Sequence, residues 1–285
     1  MNNKAPHIHS ITIGSQLRAL WAVARKDWKI YWRYPLNAVS SIFQPIIWVT
    51  PAYFMGKAFS IDGEAVGFAA YSGSSDYMSF IILGMALSSF VTTVFWGMGY
   101  AMKNDMDAGV LESNWLSPTP RILLLVGRTF TSMFTTTITS LAILLVAALL
   151  FGFQPTGNAL AAILVSIPML LGLYGFGFAF ASLVLILREA NMLVDMSSFL
   201  VQLLSGSTFP VAALPRWLLP LALALPVTYG FDAARGFLLK TKTILPMSTE
   251  IIILLVTMVI MIILGSLAFR ALERRVRMLG TLGQH

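Results

Sequence analysis

The 285-residue chain is 57% hydrophobic and only 11% charged, with a formal net charge of +7. A water-soluble domain has about 25% charged residues, so this chain cannot cover a globular surface with charge and needs lipid as its solvent. It contains no cysteine and three histidines, two of them His7 and His9, which excludes disulfides, thiolate nucleophiles and thiolate metal sites. No metal is expected in this chain.

The first residues lack a short apolar core followed by a small-residue cleavage site, so no cleaved signal peptide is expected. Residues 16–34, QLRALWAVARKDWKIYWRY, predict an amphipathic interfacial helix. Leu17, Leu20, Trp21, Ala24, Trp28, Tyr31 and Trp32 recur at helical spacing on one side, while Arg18, Arg25, Lys26, Lys29 and Arg33 mostly lie elsewhere. A basic, Trp-rich helix of this kind suits the headgroup layer, and Pro35 then turns the chain into the bilayer. It reads either as a plain anchor or as a lever joining a cytoplasmic partner to the first span, with Arg25, Lys26, Trp28 and Arg33 as its candidate contacts.

A membrane helix needs about 20 mostly apolar residues, because each rises about 1.5 Å through a core about 30 Å thick. Residues 36–57 and 78–102 give the first two candidates. Residues 103–120 then form a short polar loop carrying Asp105, Asp107 and Glu112. Within it Gly109 permits a tight turn, and VLESNWL makes about two helical turns before Pro118 and Pro120 stop them. The stretch from Thr129 to Leu187 is free of charge and too long for one helix. It breaks at the turn formers of FGFQPTGN, which separates a third span over 121–151 from a fourth over 158–187.

The fifth span is expected over 190–213 and the sixth over 249–270. Asp195 and Glu189 fall in the first turns of the fifth, where the positive helix end favours a carboxylate. Between these spans, residues 214–240 are apolar but interrupted by Pro215, Pro220 and Pro226. Short external re-entrant helices fit this pattern, since broken helices at membrane depth need cover from protein or water. The alternative is a seventh, kinked span.

Six spans place both termini on one side. Lys4, Arg18, Arg25, Lys26, Lys29, Arg33, Lys103, Arg121, Arg188, Arg270, Arg274, Arg275 and Arg277 share that side, against Lys57, Arg216, Arg235, Lys240 and Lys242 on the other. The richer side is cytoplasmic by the positive-inside rule, which puts both termini in the cytoplasm of a multi-pass protein of the cell (inner) membrane.

The loop DAGVLESNWLSPTP resembles the E-x-G-T-L-E-x-L-x-x-T-P signature of type-2 ABC exporter permeases. Asp107 matches the first acid, Gly109 the glycine, Leu111 the leucine and Glu112 the second acid. Val110 replaces the usual threonine, Asn114 falls at the second leucine, and Leu116 comes two residues later. Ser117 and Pro118 fall in register as the closing pair. The segment from Gly206 to Gly236 is similar to a second family pattern, through Phe209, Pro210, Leu214, Pro215, Trp217, Pro226, Tyr229, Asp232 and Arg235.

The resemblance implies an all-α fold with six transmembrane helices, an N-terminal amphipathic helix and broken external re-entrant helices between spans five and six. It implies that residues 103–120 form a cytoplasmic coupling helix, with Asp107, Gly109, Leu111, Glu112, Leu116 and Pro118 facing an ATPase subunit. Two such ATPase subunits would serve a homodimer or a heterodimer with a sister permease. ATP and Mg would bind there, because this chain has no G-x-x-x-x-G-K-[ST] loop. The implied activity is outward movement of an amphipathic or hydrophobic substrate, in the drug and antibiotic-resistance branch. Lipids are the other expected partner, and nucleic acid is not one.

Phe199, Gln202, Ser205 and Phe209 are the candidate pathway residues, near the expected dimer seam. The hydroxyl-rich run of the third span, including Thr135, Thr136, Thr139 and Ser140, reads as helix packing or as a polar lining. Phe176, Phe178 and Phe180, among Gly172, Gly175 and Gly177, read as close helix packing. The competing function is a secondary carrier or flippase-like protein without an ATPase partner. Such a carrier is expected to place acids or broken helices at the midplane, where this sequence is nearly free of acids.

Overall fold

The computed structural model describes residues 13–33, 35–58, 66–107, 121–187 and 190–279. Among these every regular element is helical. In chain order they are α1 (Ile13–Arg33), α2 (Pro35–Ala58), α3 (Val66–Ser72), α4 (Tyr77–Asp107), α5 (Arg121–Leu150), α6 (Ala159–Leu187), α7 (Ala190–Leu204), α8 (Leu219–Leu223), α9 (Pro226–Leu239) and α10 (Met247–Leu279), with a 3-10 turn at Val211–Ala213. Four of them contain apolar stretches long enough to cross a bilayer: Tyr77–Tyr100, Thr129–Leu150, Ala159–Val184 and Met247–Leu272. The chain is therefore a polytopic, membrane-embedded helical protein.

Helix starts follow local chemistry. The Asp76 carboxylate accepts the Ser79 N–H at 2.9 Å and caps α4. Asn158 does the same for α6 through the Ala161 N–H, at 3.1 Å. Pro220 and Pro226 occupy the first turns of α8 and α9, where a missing N–H costs nothing. The fifth apolar stretch does not stay helical to residue 213. Its helix, α7, ends at Leu204 because Gly206 takes a φ of +74°, a left-handed stop that leaves 205–210 as a turn.

α4 is the central helix. Of its apolar stretch 67% is buried, against 11% for α10, which places α10 on the outside of the bundle. Ile82, Val91, Val94, Phe95 and Met98 of α4 pack into one core with Met169, Leu173 and Ala181 of α6 and Phe231 and Ala234 of α9. Phe95 meets Phe176 and Phe180 at 5.6 and 4.9 Å between ring centres. α6 and α10 approach closely: a Cβ on Gly175 would strike the Met261 and Ile262 backbone, and one on Gly265 the Gly175 carbonyl.

α1 lies along the first half of α5. Thr131 donates to the Ala24 carbonyl at 3.0 Å, and the Trp28 and Phe134 rings meet edge to face at 5.4 Å. Trp21 and Trp32 remain exposed, which splits the apolar stripe between a protein-facing and an outward-facing edge. At the other end of the bundle the chain is tied together by backbone bonds. The Gly157 and Asn158 N–H groups donate to the Leu238 and Phe237 carbonyls, and Lys242 N–H donates to the Ser72 carbonyl.

Candidate functional site

A cavity of about 660 Å³ lies between α2, α4, α5 and α7. α4 lines it with Met85, Ser88, Ser89, Thr92 and Thr93, and α5 with Thr135, Thr136, Thr139 and Ile143. Val49 of α2 and Gln202 of α7 complete its walls. The lining extends from Tyr31, in the last turn of α1, to Ser207 and Thr208, just beyond α7. Its side chains are hydroxyls, one amide, one phenol and three apolar groups; none is ionisable as a carboxylate or a cation.

Most of these hydroxyls already hold partners. Thr93 and Thr136 share a hydrogen bond at 2.7 Å, and Ser89 and Ser140 one at 2.8 Å. Thr93 also donates, at 2.8 Å, to the Ser89 carbonyl one turn earlier, and Thr139 to the Thr135 carbonyl at 2.9 Å. Thr135 donates to the Ser132 carbonyl at 2.9 Å. Hydroxyls in apolar helices satisfy themselves in this way because no water is there to do it. The two readings of the third span's threonines are thus both realised: they join α5 to α4, and they line the cavity.

Gln202 is held from its own helix. Its amide nitrogen donates to the Ser198 hydroxyl at 3.0 Å, to the Ser198 carbonyl at 3.3 Å and to Thr92 at 3.3 Å. Of the four candidate pathway residues it alone lines the cavity. Phe199 is exposed on the outside of α7, Ser205 is buried and donates to the Gln202 carbonyl at 3.2 Å, and Phe209 is half-buried.

Behind Ser207, a lining residue of the cavity, lies a polar knot built on α9. Arg235 is fully buried, and its guanidinium donates to the Gly206 carbonyl at 2.6 Å, the Ser207 carbonyl at 2.5 Å and the Phe80 carbonyl at 3.3 Å. It also lies over the Phe80 ring, 3.6 Å from its centre. The arginine joins the turn that follows α7 to the start of α4, and its charge suits a helix C-terminus. Gly84 leaves the room: a Cβ there would overlap the Ser207 carbonyl and the guanidinium. Asp232 accepts the Ile244 N–H at 2.7 Å, and Glu250 accepts the Leu245 N–H at 3.0 Å. Burial pushes the Asp232 carboxyl up from its ordinary range, opposed by the Ile244 N–H, Glu250 and Arg235.

Tyr229 donates to the Leu223 carbonyl at 2.8 Å and fixes α9 against α8. Pro226 is buried, Pro210 half-buried, and Pro215 and Trp217 are exposed. On α1, Arg25, Lys26 and Arg33 are exposed and Trp28 half-buried. Asp107 is the last residue of α4, while Gly109, Leu111, Glu112, Leu116 and Pro118 lie outside the described residues, as does Glu189. Sequence reasoning missed Ser88, Ser89, Thr92 and Thr93 as lining groups and Glu250 as a buried acid. The signal for the first four was a pair of hydroxyls on each of two successive turns of the second span, 88/89 and 92/93, facing a longer hydroxyl run in the third.

No curated protein matches this chain. The family model described as ABC-2 type transporter matches residues 18–239, from α1 to the end of α9, which is well over half of the sequence. With its membrane-length apolar helices, the chain belongs to the ABC-2 type transporter family, as a membrane permease subunit of an ABC transporter.

Proposed function

We propose that this permease exports an amphipathic or hydrophobic molecule, driven by ATP that a separate subunit hydrolyses. The observation that carries the reading is a hydroxyl-lined cavity inside a chain of the ABC-2 family. Six helices cross the inner membrane, with α2 and α7 joining the four long apolar ones. Both termini lie in the cytoplasm, and the segment 103–120, whose first five residues end α4, carries the coupling helix, with Asp107, Gly109, Leu111, Glu112, Leu116 and Pro118 against the ATPase. Two permeases, identical or sister chains, and two ATPase subunits make the transporter, in the drug and antibiotic-resistance branch. α8 and α9 are the external re-entrant segment, held by Arg235. Nucleotide-driven movement of the coupling helix changes the cavity's exposure, and by reciprocity substrate then alters nucleotide affinity.

The test is a mild-detergent pull-down of the tagged chain from its native membrane. A P-loop ATPase is expected to co-purify in an amount similar to the permease. Glu112→Lys should leave the permease in the membrane and abolish its effect on ATPase turnover. A chain that emerges without an ATPase, or a Glu112→Lys variant that couples normally, would overturn the reading.

A further inference from the structure

We propose that the cavity between α2, α4, α5 and α7 is a binding site for an uncharged amphipathic molecule rich in hydrogen-bond donors, such as a hydroxylated or glycosylated apolar compound, recognised through Ser88 and Gln202. This rests on the transport reading above and specifies the substrate class it leaves open.

The first observation is size. A cavity of about 660 Å³ falls in the range of pockets that enclose drug-sized ligands, roughly 300–1,000 Å³. The second is the absence of charge among the lining side chains. A cation or anion placed there would lose its hydration without gaining a counter-ion, which disfavours charged ligands.

The third concerns the direction of the hydrogen bonds. Thr92 donates to the Ser88 carbonyl, Thr93 to Ser89, Thr135 to Ser132 and Thr139 to Thr135, so these protons are committed to backbone. What each hydroxyl still offers the cavity is an oxygen lone pair. The wall is therefore rich in acceptors, and its complement is a ligand that brings O–H or N–H groups. Val49, Met85 and Ile143 give the same cavity an apolar side.

The fourth observation is an unmet group. Ser88 is a lining residue of the cavity, and its hydroxyl oxygen is buried with no hydrogen-bond partner among the described residues. A buried hydroxyl left unpaired is costly to the fold, and a bound polar group that pairs with it recovers that cost. Gln202, fixed through its nitrogen by Ser198 and Thr92, keeps its amide oxygen without a partner among the described residues. The two residues line one cavity from α4 and α7, helices that pack together. A ligand spanning them would bridge those helices, which is where a transport cycle can read occupancy.

The experiment uses the full chain in lipid nanodiscs and four amphiphiles with one shared alkyl chain. Their headgroups are a glucoside, an oligo-ether, a quaternary ammonium and a sulfate. Equilibrium binding and diazirine photolabelling with the glucoside are measured for the wild type, Ser88→Ala, Gln202→Leu and, as a control outside the cavity, Thr137→Val. Saturable binding of the glucoside is expected, with labels on α4, α5 or α7 and weak binding of the other three. Ser88→Ala, which breaks no hydrogen bond described in the fold, and Gln202→Leu should each weaken glucoside binding about five- to tenfold. Thr137→Val should leave it unchanged.

Equal or tighter binding of the ammonium, sulfate or ether compound would overturn the proposal, as would labelling away from these helices or an unchanged Ser88→Ala variant. Donor-selective binding by a chain that has no ATPase would keep the site and remove the exporter reading. Recovery of the ATPase without donor-selective binding would remove only the site.

Discussion

Arg235 gathers several polar contacts into one side chain. Three backbone carbonyls and two aromatic rings, Phe80 and Phe231, converge on a single buried guanidinium. Arg235→Ala takes the donor from the Gly206 and Ser207 carbonyls in an apolar setting and is expected to cost about 3 kcal/mol or more. Arg235→Lys keeps the charge but cannot aim three donors from a planar fork, so an intermediate loss is expected. Thermal unfolding of the purified variants measures this, and a lysine variant as stable as the wild type would refute the role. The sequence displays Arg235, Asp232 and Tyr229 as a spaced polar set, but not their partners. Phe80 is 155 residues away in the chain, and Glu250, beside Asp232, stands out in no motif.

At the scale of elements, α6 shows why packing faces escape a sequence reading. Its residues are apolar on every side, so no helical stripe marks the side that meets protein. Glycines settle it, because only where they lie can another backbone come this near. Gly175→Ala is expected to push α10 off α6 and to cost about 1–3 kcal/mol by overpacking. Gly14→Ala in α1, where a Cβ meets nothing within 4 Å, should be neutral or stabilise by up to about 1 kcal/mol. Comparing the two by thermal unfolding isolates the contact from the propensity, and equal effects would argue against the close crossing. The end of α7 was hidden for a related reason. Residues 205–213 remain apolar enough to read as helix, yet a left-handed Gly206 and the waiting Arg235 stop it at Leu204.

For the whole molecule, the decisive measurement is orientation. A reporter fused after His285 is expected to read as cytoplasmic and one inserted near Gly63 as external, since basic residues accumulate on one side of the proposed spans. An external C-terminus would break the six-span arrangement and with it the placement of the coupling helix. What the sequence determined alone was the solvent, the helical class and the family, because these depend on composition and on local patterns that each segment carries by itself. The missing phosphate-binding loop is equally a property of the string. Tertiary structure decided which hydroxyls spend their protons on their own helix, which meet across α4 and α5, and that the Ser88 hydroxyl finds no partner among the described residues. It also decided that one arginine closes the turn after α7. Those outcomes depend on the angles at which distant helices cross, and no period or motif within a single segment encodes a crossing.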